Sequence, residues 1–118
     1  MKENNSICVV GLWHLGLVTS ACLSSLDLKV TAYDSDKKTI QAIKKLNPLI
    51  DEPGLKELLK KGFENKKLKV TTNKNDLHNH QIYWVTYDTP VDDEDVADTK
   101  FVLEKIKELF EFFNDDSI

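Results

Sequence analysis

The sequence has no surplus of positive charge, no long apolar run and almost no cysteine. Lysine and arginine number 16 against 20 aspartates and glutamates, a formal net charge of −4. A domain that grips nucleic acid through its phosphates carries a basic face, and a membrane-surface segment carries clustered lysines and arginines. The charge balance argues against both. No stretch approaches the roughly 20 apolar residues of a spanning helix. Met1-Lys2-Glu3-Asn4-Asn5 leads into an apolar run with neither the h-region nor the small-residue cleavage site of a secretory leader. The two cysteines, Cys8 and Cys22, form no CxxC and no disulfide framework. Each falls in an apolar segment, so both are expected as small buried hydrophobes, and this usage points to the cytoplasm. No repeat, low-complexity tract or linker divides the 118 residues, a length suited to one domain with one core.

What is present is an alternation of two periods. Ser6 to Val10 is a short continuous apolar run ending at Gly11, the pattern of a buried strand. From about His14 to Leu26 the period lengthens, with Leu15, Val18, Cys22 and Leu26 spaced as one helix face. Leu28 to Tyr33 is a second strand. Ser35 or Asp36 caps a helix from Lys37 to about Leu46, with Ile40, Ile43 and Leu46 as its stripe, and Asn47-Pro48 ends it. A short helix is expected from Gly54 to about Lys61, with Gly62 as its C-cap. Leu68 to Thr72 is a third strand, Asn73 to His80 holds a short helix at most, and Gln81 to Tyr87 is a fourth strand. A charged loop, Asp88 to Ala97, precedes a helix capped by Asp98 and running to about Phe113. Phe101, Leu103, Ile106, Leu109, Phe110 and Phe113 lie mostly on one side of that helix. This order predicts an α/β layered fold with a parallel sheet. Right-handed crossovers make it doubly wound and Rossmann-like, with strand order 3-2-1-4.

The first strand-to-helix turn reads Gly11-Leu12-Trp13-His14-Leu15-Gly16. It holds the first and third glycines of GxGxxG and feeds a helix N-terminus, whose free N–H groups and dipole favour a pyrophosphate. Trp13 stands where the second glycine normally lets the backbone approach the phosphates. Taken alone the turn is a weak signal, equally that of a plain helix start. Its context strengthens it, because the second strand ends at Asp34, 23 residues after Gly11 (34 minus 11). A carboxylate there accepts hydrogen bonds from the adenosine ribose and repels a 2′-phosphate, which favours NAD over NADP. Lys37 and Lys38 lie near enough to soften that preference. The competing reading of Asp34 is a turn or cap residue.

Four segments in order carry a family resemblance. ICVVGLWHLGLVTSACL, VTAYDSDKKTIQAI, the Asp51-Glu52-Pro53-Gly54-Leu55 segment, and Thr89-Pro90 with Ala97-Asp98 resemble the UDP-glucose and GDP-mannose dehydrogenase family over nearly the whole chain. The EPGL segment is far more specific than a glycine turn. The resemblance implies an N-terminal NAD-binding domain, incomplete over residues 1–118. Two further strands, a linking helix and a sugar-binding domain would complete it. It also implies an oxidoreductase of polysaccharide biosynthesis that uses two NAD to oxidise a sugar-nucleotide C6 alcohol to a carboxylate. Carried over as cofactor-binding are Gly11, Trp13, His14, Leu15, Gly16, Asp34 and Thr89, and Glu52 shapes a loop near the cofactor. The family's catalytic residues fall in later segments, as do its sugar-nucleotide contacts. No catalytic residue is therefore assigned, and Cys8 and Cys22 stand in the wrong segments to be the nucleophile. Trp13 departs from the family's glycine, and Thr39 stands where many members carry lysine.

Other residues invite weaker readings. For His14, packing at the phosphate edge fits its place better than a catalytic role. His78 and His80 lack a metal-ligand framework and are expected to be solvated. Asp92-Asp93-Glu94-Asp95 lacks the glycine and terminal glutamate of a calcium loop, and no metal site is expected. Tyr83 and Trp84 are expected as strand core. The competing functions are a standalone binding or regulatory module with a vestigial dinucleotide site, which Trp13 favours, and another Rossmann enzyme such as a methyltransferase. With the later strands absent, the fourth strand is an expected open edge through which the chain self-associates.

Overall fold

A computed structural model describes residues 6–48, 52–87, 99–113 and 117–118. The elements in order are β1 (Ser6–Val10), α1 (His14–Ser25), β2 (Lys29–Tyr33), α2 (Lys37–Lys44), α3 (Leu55–Glu64), β3 (Leu68–Thr71), a 3-10 turn at Lys74–Leu77, β4 (Ile82–Val85), α4 (Thr99–Leu109) and a closing 3-10 turn at Phe110–Phe112. The strands form one parallel sheet in the order β3-β2-β1-β4. Asp36 caps α2 as expected, its carboxylate accepting from the Lys38 N–H at 3.0 Å.

Strand side chains alternate between two apolar layers. Val9, Val30, Ala32, Leu68 and Val70 face α1, α2 and α3, where Leu17, Ala21, Ile40, Ile43, Leu55 and Leu59 meet them. Cys8, Val10 and Tyr33 face the other way, against Leu77 and Leu109 with Tyr83, Val85, Phe112 and Phe113 around them. Helical elements thus cover both faces, the doubly wound arrangement.

The face that α1 buries is not the one its large residues outline. Gly16, Leu17, Ser20, Ala21 and Ser24 are buried, whereas Leu15 and Leu26 are exposed and Val18 is half-buried. Small side chains let the helix lie close to the sheet. Their hydroxyls are satisfied within the helix, Ser20 donating to the Gly16 carbonyl at 2.7 Å and Ser24 to the Ala21 carbonyl at 2.9 Å. Cys22 accordingly sits on the outer face, exposed, while Cys8 is buried.

Three further expectations are corrected. Gly62 is not a C-cap. It lies inside α3, which runs on to Glu64 with Asn65 as cap, and it is buried against Ser24 and Leu68. His80 is not solvated but buried. Its Nε2–H donates to the Asp76 carbonyl at 2.8 Å, which leaves Nδ1 to accept from the Ser6 hydroxyl at 2.5 Å. Trp84 is 46% exposed on β4, the strand at the margin of the sheet; Tyr83, on the opposite face, stacks on Phe113 with ring centres 4.2 Å apart. In α4 only Leu109 is buried, and Phe101 and Leu103 are exposed, as is Phe110 in the turn that follows: the helix docks by its C-terminal end. The outer edge of β4 meets the chain itself, Tyr83 N–H donating to the Ile118 carbonyl at 2.7 Å and Ile118 N–H to the Gln81 carbonyl at 2.9 Å.

Two outcomes follow from this packing. Helix propensity alone favours alanine over glycine by about 1 kcal/mol. A Cβ at Gly62, however, would lie 2.8 Å from Ser24 Oγ and 2.9 Å from Leu68 Cβ. Overpacking of that kind costs about 1–3 kcal/mol, so Gly62→Ala is expected to lower the urea midpoint. Second, burial, and behind it the charge of Asp76, pushes the Cys8 thiol up to about 12. Its contribution to stability is complete below about pH 9 and is lost as the pH climbs through about 12. One thiol, Cys22, should therefore react with maleimide at neutral pH in the folded chain, and both in urea, as read by mass spectrometry.

Candidate functional site

The carboxyl ends of β1, β2 and β4 meet at one end of the sheet, and the strand order reverses direction between β1 and β4. In open parallel sheets such a switch point is where ligands bind. Gly11 leaves β1 with φ +95, a conformation that L side chains rarely adopt. Its N–H donates to the Tyr33 carbonyl at 2.9 Å, so the turn stays tied to β2. Gly16 meets a different demand, for space: a Cβ there would fall 1.8 Å from the Gly11 carbonyl oxygen and 2.5 Å from Thr86 Oγ1.

Thr86, just past β4, locks this arrangement. It is buried, its N–H donates to the Val10 carbonyl at 2.8 Å, and its hydroxyl donates to the Gly11 carbonyl at 2.6 Å, with the Val10 carbonyl 3.1 Å away. Tyr87 flanks Gly11 from the same side. Sequence reasoning did not single out either residue, since a threonine and a tyrosine closing an apolar strand look like ordinary strand residues. Burial first, then the neighbouring Tyr33, Asp34, Glu108 and Cys8, holds the Tyr87 phenol well above the usual tyrosine range. Tyr33 is raised by burial, Asp34 and Glu108. Both phenols therefore stay neutral and add no negative charge to the turn.

Asp34 is tied to the turn it was expected to serve. One carboxylate oxygen accepts from the Leu12 N–H at 2.8 Å and the other from the Asp36 N–H at 2.9 Å. A carboxylate offers about four acceptor positions, so each oxygen keeps one for a ligand hydroxyl. Trp13 caps α1 with an extended backbone (φ −89, ψ −151) and makes no side-chain cap bond. That conformation needs no glycine. The indole is 51% exposed, and Leu15 is exposed beside it. Leu17 N–H is bonded to the Trp13 carbonyl at 2.9 Å, so the N–H groups of His14, Leu15 and Gly16 precede the helix ladder and face out of it. His14 Nε2 lies 3.4 Å from a Glu52 carboxylate oxygen, which brings the EPGL segment to the start of α1. Glu52 and Pro53 also line a cleft of about 420 Å³ with Asn47, Gly54 and Leu55.

The structure thus brings Gly11, Trp13, His14, Leu15, Gly16 and Asp34 together at one end of the sheet. Thr89 lies outside the described residues, as do Pro90, Ala97, Asp98 and the acidic run Asp92 to Asp95. The residues present fit a dinucleotide. The turn has the tight glycine geometry, main-chain donors stand at a helix N-terminus, and a carboxylate with spare acceptor capacity closes the second strand. The sequence contains no arginine, so no guanidinium fork is available for phosphate, and the main-chain donors are the groups that fit that role.

Fold and site together define a nucleotide-binding Rossmann domain. The chain belongs to the UDP-glucose/GDP-mannose dehydrogenase family, whose NAD binding domain profile matches residues 5–118. NAD is the cofactor of that domain. UDP-glucose 6-dehydrogenase of Rickettsia conorii is 32% identical over 114 residues, covering 96% of this chain and 26% of the relative. UDP-N-acetyl-D-mannosamine dehydrogenase of Methanococcus vannielii is 28% identical over 121 residues, covering 99% of this chain and 28% of the relative. Among solved structures, UDP-D-ManNAc dehydrogenase of Pyrococcus horikoshii superposes with a TM-score of 0.87 at 27% identity, over 96% of this chain and 27% of its own. GDP-mannose dehydrogenase of Pseudomonas aeruginosa, solved as a ternary complex, gives 0.80 at 26% identity, over 87% and 24%. The chain spans about a quarter of the length of these relatives.

If Thr86 sets the turn, removing its hydroxyl while keeping its shape leaves the buried Gly11 carbonyl without that donor, at a cost of about 1–2 kcal/mol. Thr86→Val is expected to lower the urea midpoint and weaken NAD binding, and Thr86→Ser to restore both.

Proposed function

We propose that this chain is the NAD-binding portion of a cytoplasmic nucleotide-sugar dehydrogenase of polysaccharide biosynthesis, which oxidises the C6 alcohol of a UDP- or GDP-sugar to the carboxylate. The observation that carries the reading is the linked turn: Gly11 at φ +95, Gly16 in contact distance of its carbonyl, and Asp34 bonded to the Leu12 N–H. Supporting it are the enzymes to which the chain is similar, among them a UDP-glucose 6-dehydrogenase and a GDP-mannose dehydrogenase. Taking an alcohol to a carboxylate removes four electrons. Two NAD accept them as two hydrides, and a water supplies the second oxygen. In this reading Gly11 and Gly16 shape the turn, and main-chain donors from His14 to Gly16 receive the pyrophosphate. Asp34 holds the adenosine ribose, Trp13, His14 and Leu15 border the cofactor, and Thr89 contacts it from beyond β4.

The relatives are about four times as long. We assign the sugar-nucleotide site and the catalytic residues to segments of the parent enzyme beyond these 118 residues, expect no turnover from them alone, and expect this chain to self-associate as a homo-oligomer. No described helix is long and apolar enough to cross a membrane. A second reading, a binding module with a vestigial site, draws on the indole of Trp13 at the phosphate approach. Titration of the chain with NAD and NADP, followed by tryptophan fluorescence, separates the two. Saturable NAD binding, weaker for NADP and weakened about tenfold or more in Asp34→Ala by loss of a charged hydrogen-bond acceptor, supports the dehydrogenase reading. No binding at millimolar NAD favours the vestigial module, and binding restored in Trp13→Gly would assign the loss to the indole.

A further inference from the structure

We infer that Glu52 sets the affinity of the dinucleotide site by acting as a resident anion at the N-terminal end of α1, held there by His14. This rests on the NAD-binding reading above and goes beyond it by naming what the cofactor must displace. Helix N-termini carry a partial positive charge that carboxylates and phosphates both answer. Yet α1 has no acidic residue in its first turn, and its cap, Trp13, makes no side-chain hydrogen bond. Its own sequence leaves that end unanswered.

Glu52 answers it from a different segment. His14 is the first residue of α1, and side chains on a helix lean toward its N-terminal end. The Nε2–carboxylate distance of 3.4 Å therefore places the Glu52 charge beside the first residue of α1. The backbone of Glu52 is fixed as well. Its carbonyl accepts from the Leu55 N–H at 3.1 Å, Leu55 is buried, and Gly54 turns the chain into α3 at φ +81. The position is thus built into the fold, but the contact is loose. The two side chains are 56% and 42% exposed, and exposed ion pairs contribute little, so the carboxylate can yield to a phosphate. The other carboxylate at the turn, Asp34, is held by Leu12 and Asp36 on the ribose side. His14 is a positioning residue in this scheme, and Glu52 is the competitor.

The test is NAD titration of the 118-residue chain, of Glu52→Gln, of His14→Gln and of the double variant, at low and high salt. Glu52→Gln is expected to bind NAD about two- to five-fold more tightly at low salt. The gain should shrink with added salt, since exposed charges are screened, and should also shrink in the His14→Gln background. A wild-type chain that binds NAD while Glu52→Gln binds equally or more weakly overturns this inference and leaves the NAD reading standing. A gain unchanged by salt and by His14→Gln also overturns it. Failure of both wild type and Glu52→Gln to bind overturns the NAD reading and this inference with it. Binding by Glu52→Gln alone would be the strongest support.

Discussion

The structure depends on how closely α1 approaches the end of β1. The Gly11 carbonyl projects to where a Cβ on Gly16 would sit, at 1.8 Å, and no relaxation of a side-chain rotamer relieves a clash between two backbones. Once that approach is fixed, much else follows. The helix must present small residues to the sheet, which Gly16, Ser20, Ala21 and Ser24 do. Gly62 of α3 can then fit against Ser24, and the three helices close one apolar layer. Thr86 closes against the same turn, its hydroxyl satisfying the Gly11 carbonyl. A packing constraint at one turn thus reaches three helices and two strands.

The electrostatics of the site are economical. No arginine is present to hold phosphate, and the phenols of Tyr33 and Tyr87 are kept neutral by burial and by their acidic neighbours. Among the described residues there remain the main chain at the start of α1, the His14 imidazole and two carboxylates in different settings. Asp34 is bonded into the turn, while Glu52 is loosely paired on the surface. The first is suited to holding a hydroxyl, the second to moving aside.

The architecture was largely legible because period and punctuation agree. Apolar runs of strand length alternate with helical spacing, Asp36 caps α2, and the sheet order is the one that right-handed crossovers require. The glycine turn and Asp34 were legible from spacing. What escaped was any property set by partners distant in sequence. Leu15, Val18, Cys22 and Leu26 form a plausible stripe, but hydrophobic size does not reveal that the sheet requires small residues, so the buried face lies elsewhere on α1. His80 looks solvated amid polar neighbours, yet Ser6, 74 positions away, bonds its ring. Gly62 has the letter of a C-cap but serves as a clearance. Thr86 carried no local signal, because its partners come from β1. The four-segment family resemblance was legible for the complementary reason that it rests on ordered words rather than on contacts.

The turn also shows that a glycine motif bundles separable demands. At Gly11 the need is a backbone angle, and at Gly16 it is clearance from a carbonyl. At Trp13 neither applies, since the backbone there is extended and the side chain faces outward. The middle letter of the pattern is thus the one the polypeptide can change without disturbing its own geometry. A search that insists on three glycines would pass over chains like this one, whereas a search written in torsion angles and interatomic gaps would find them.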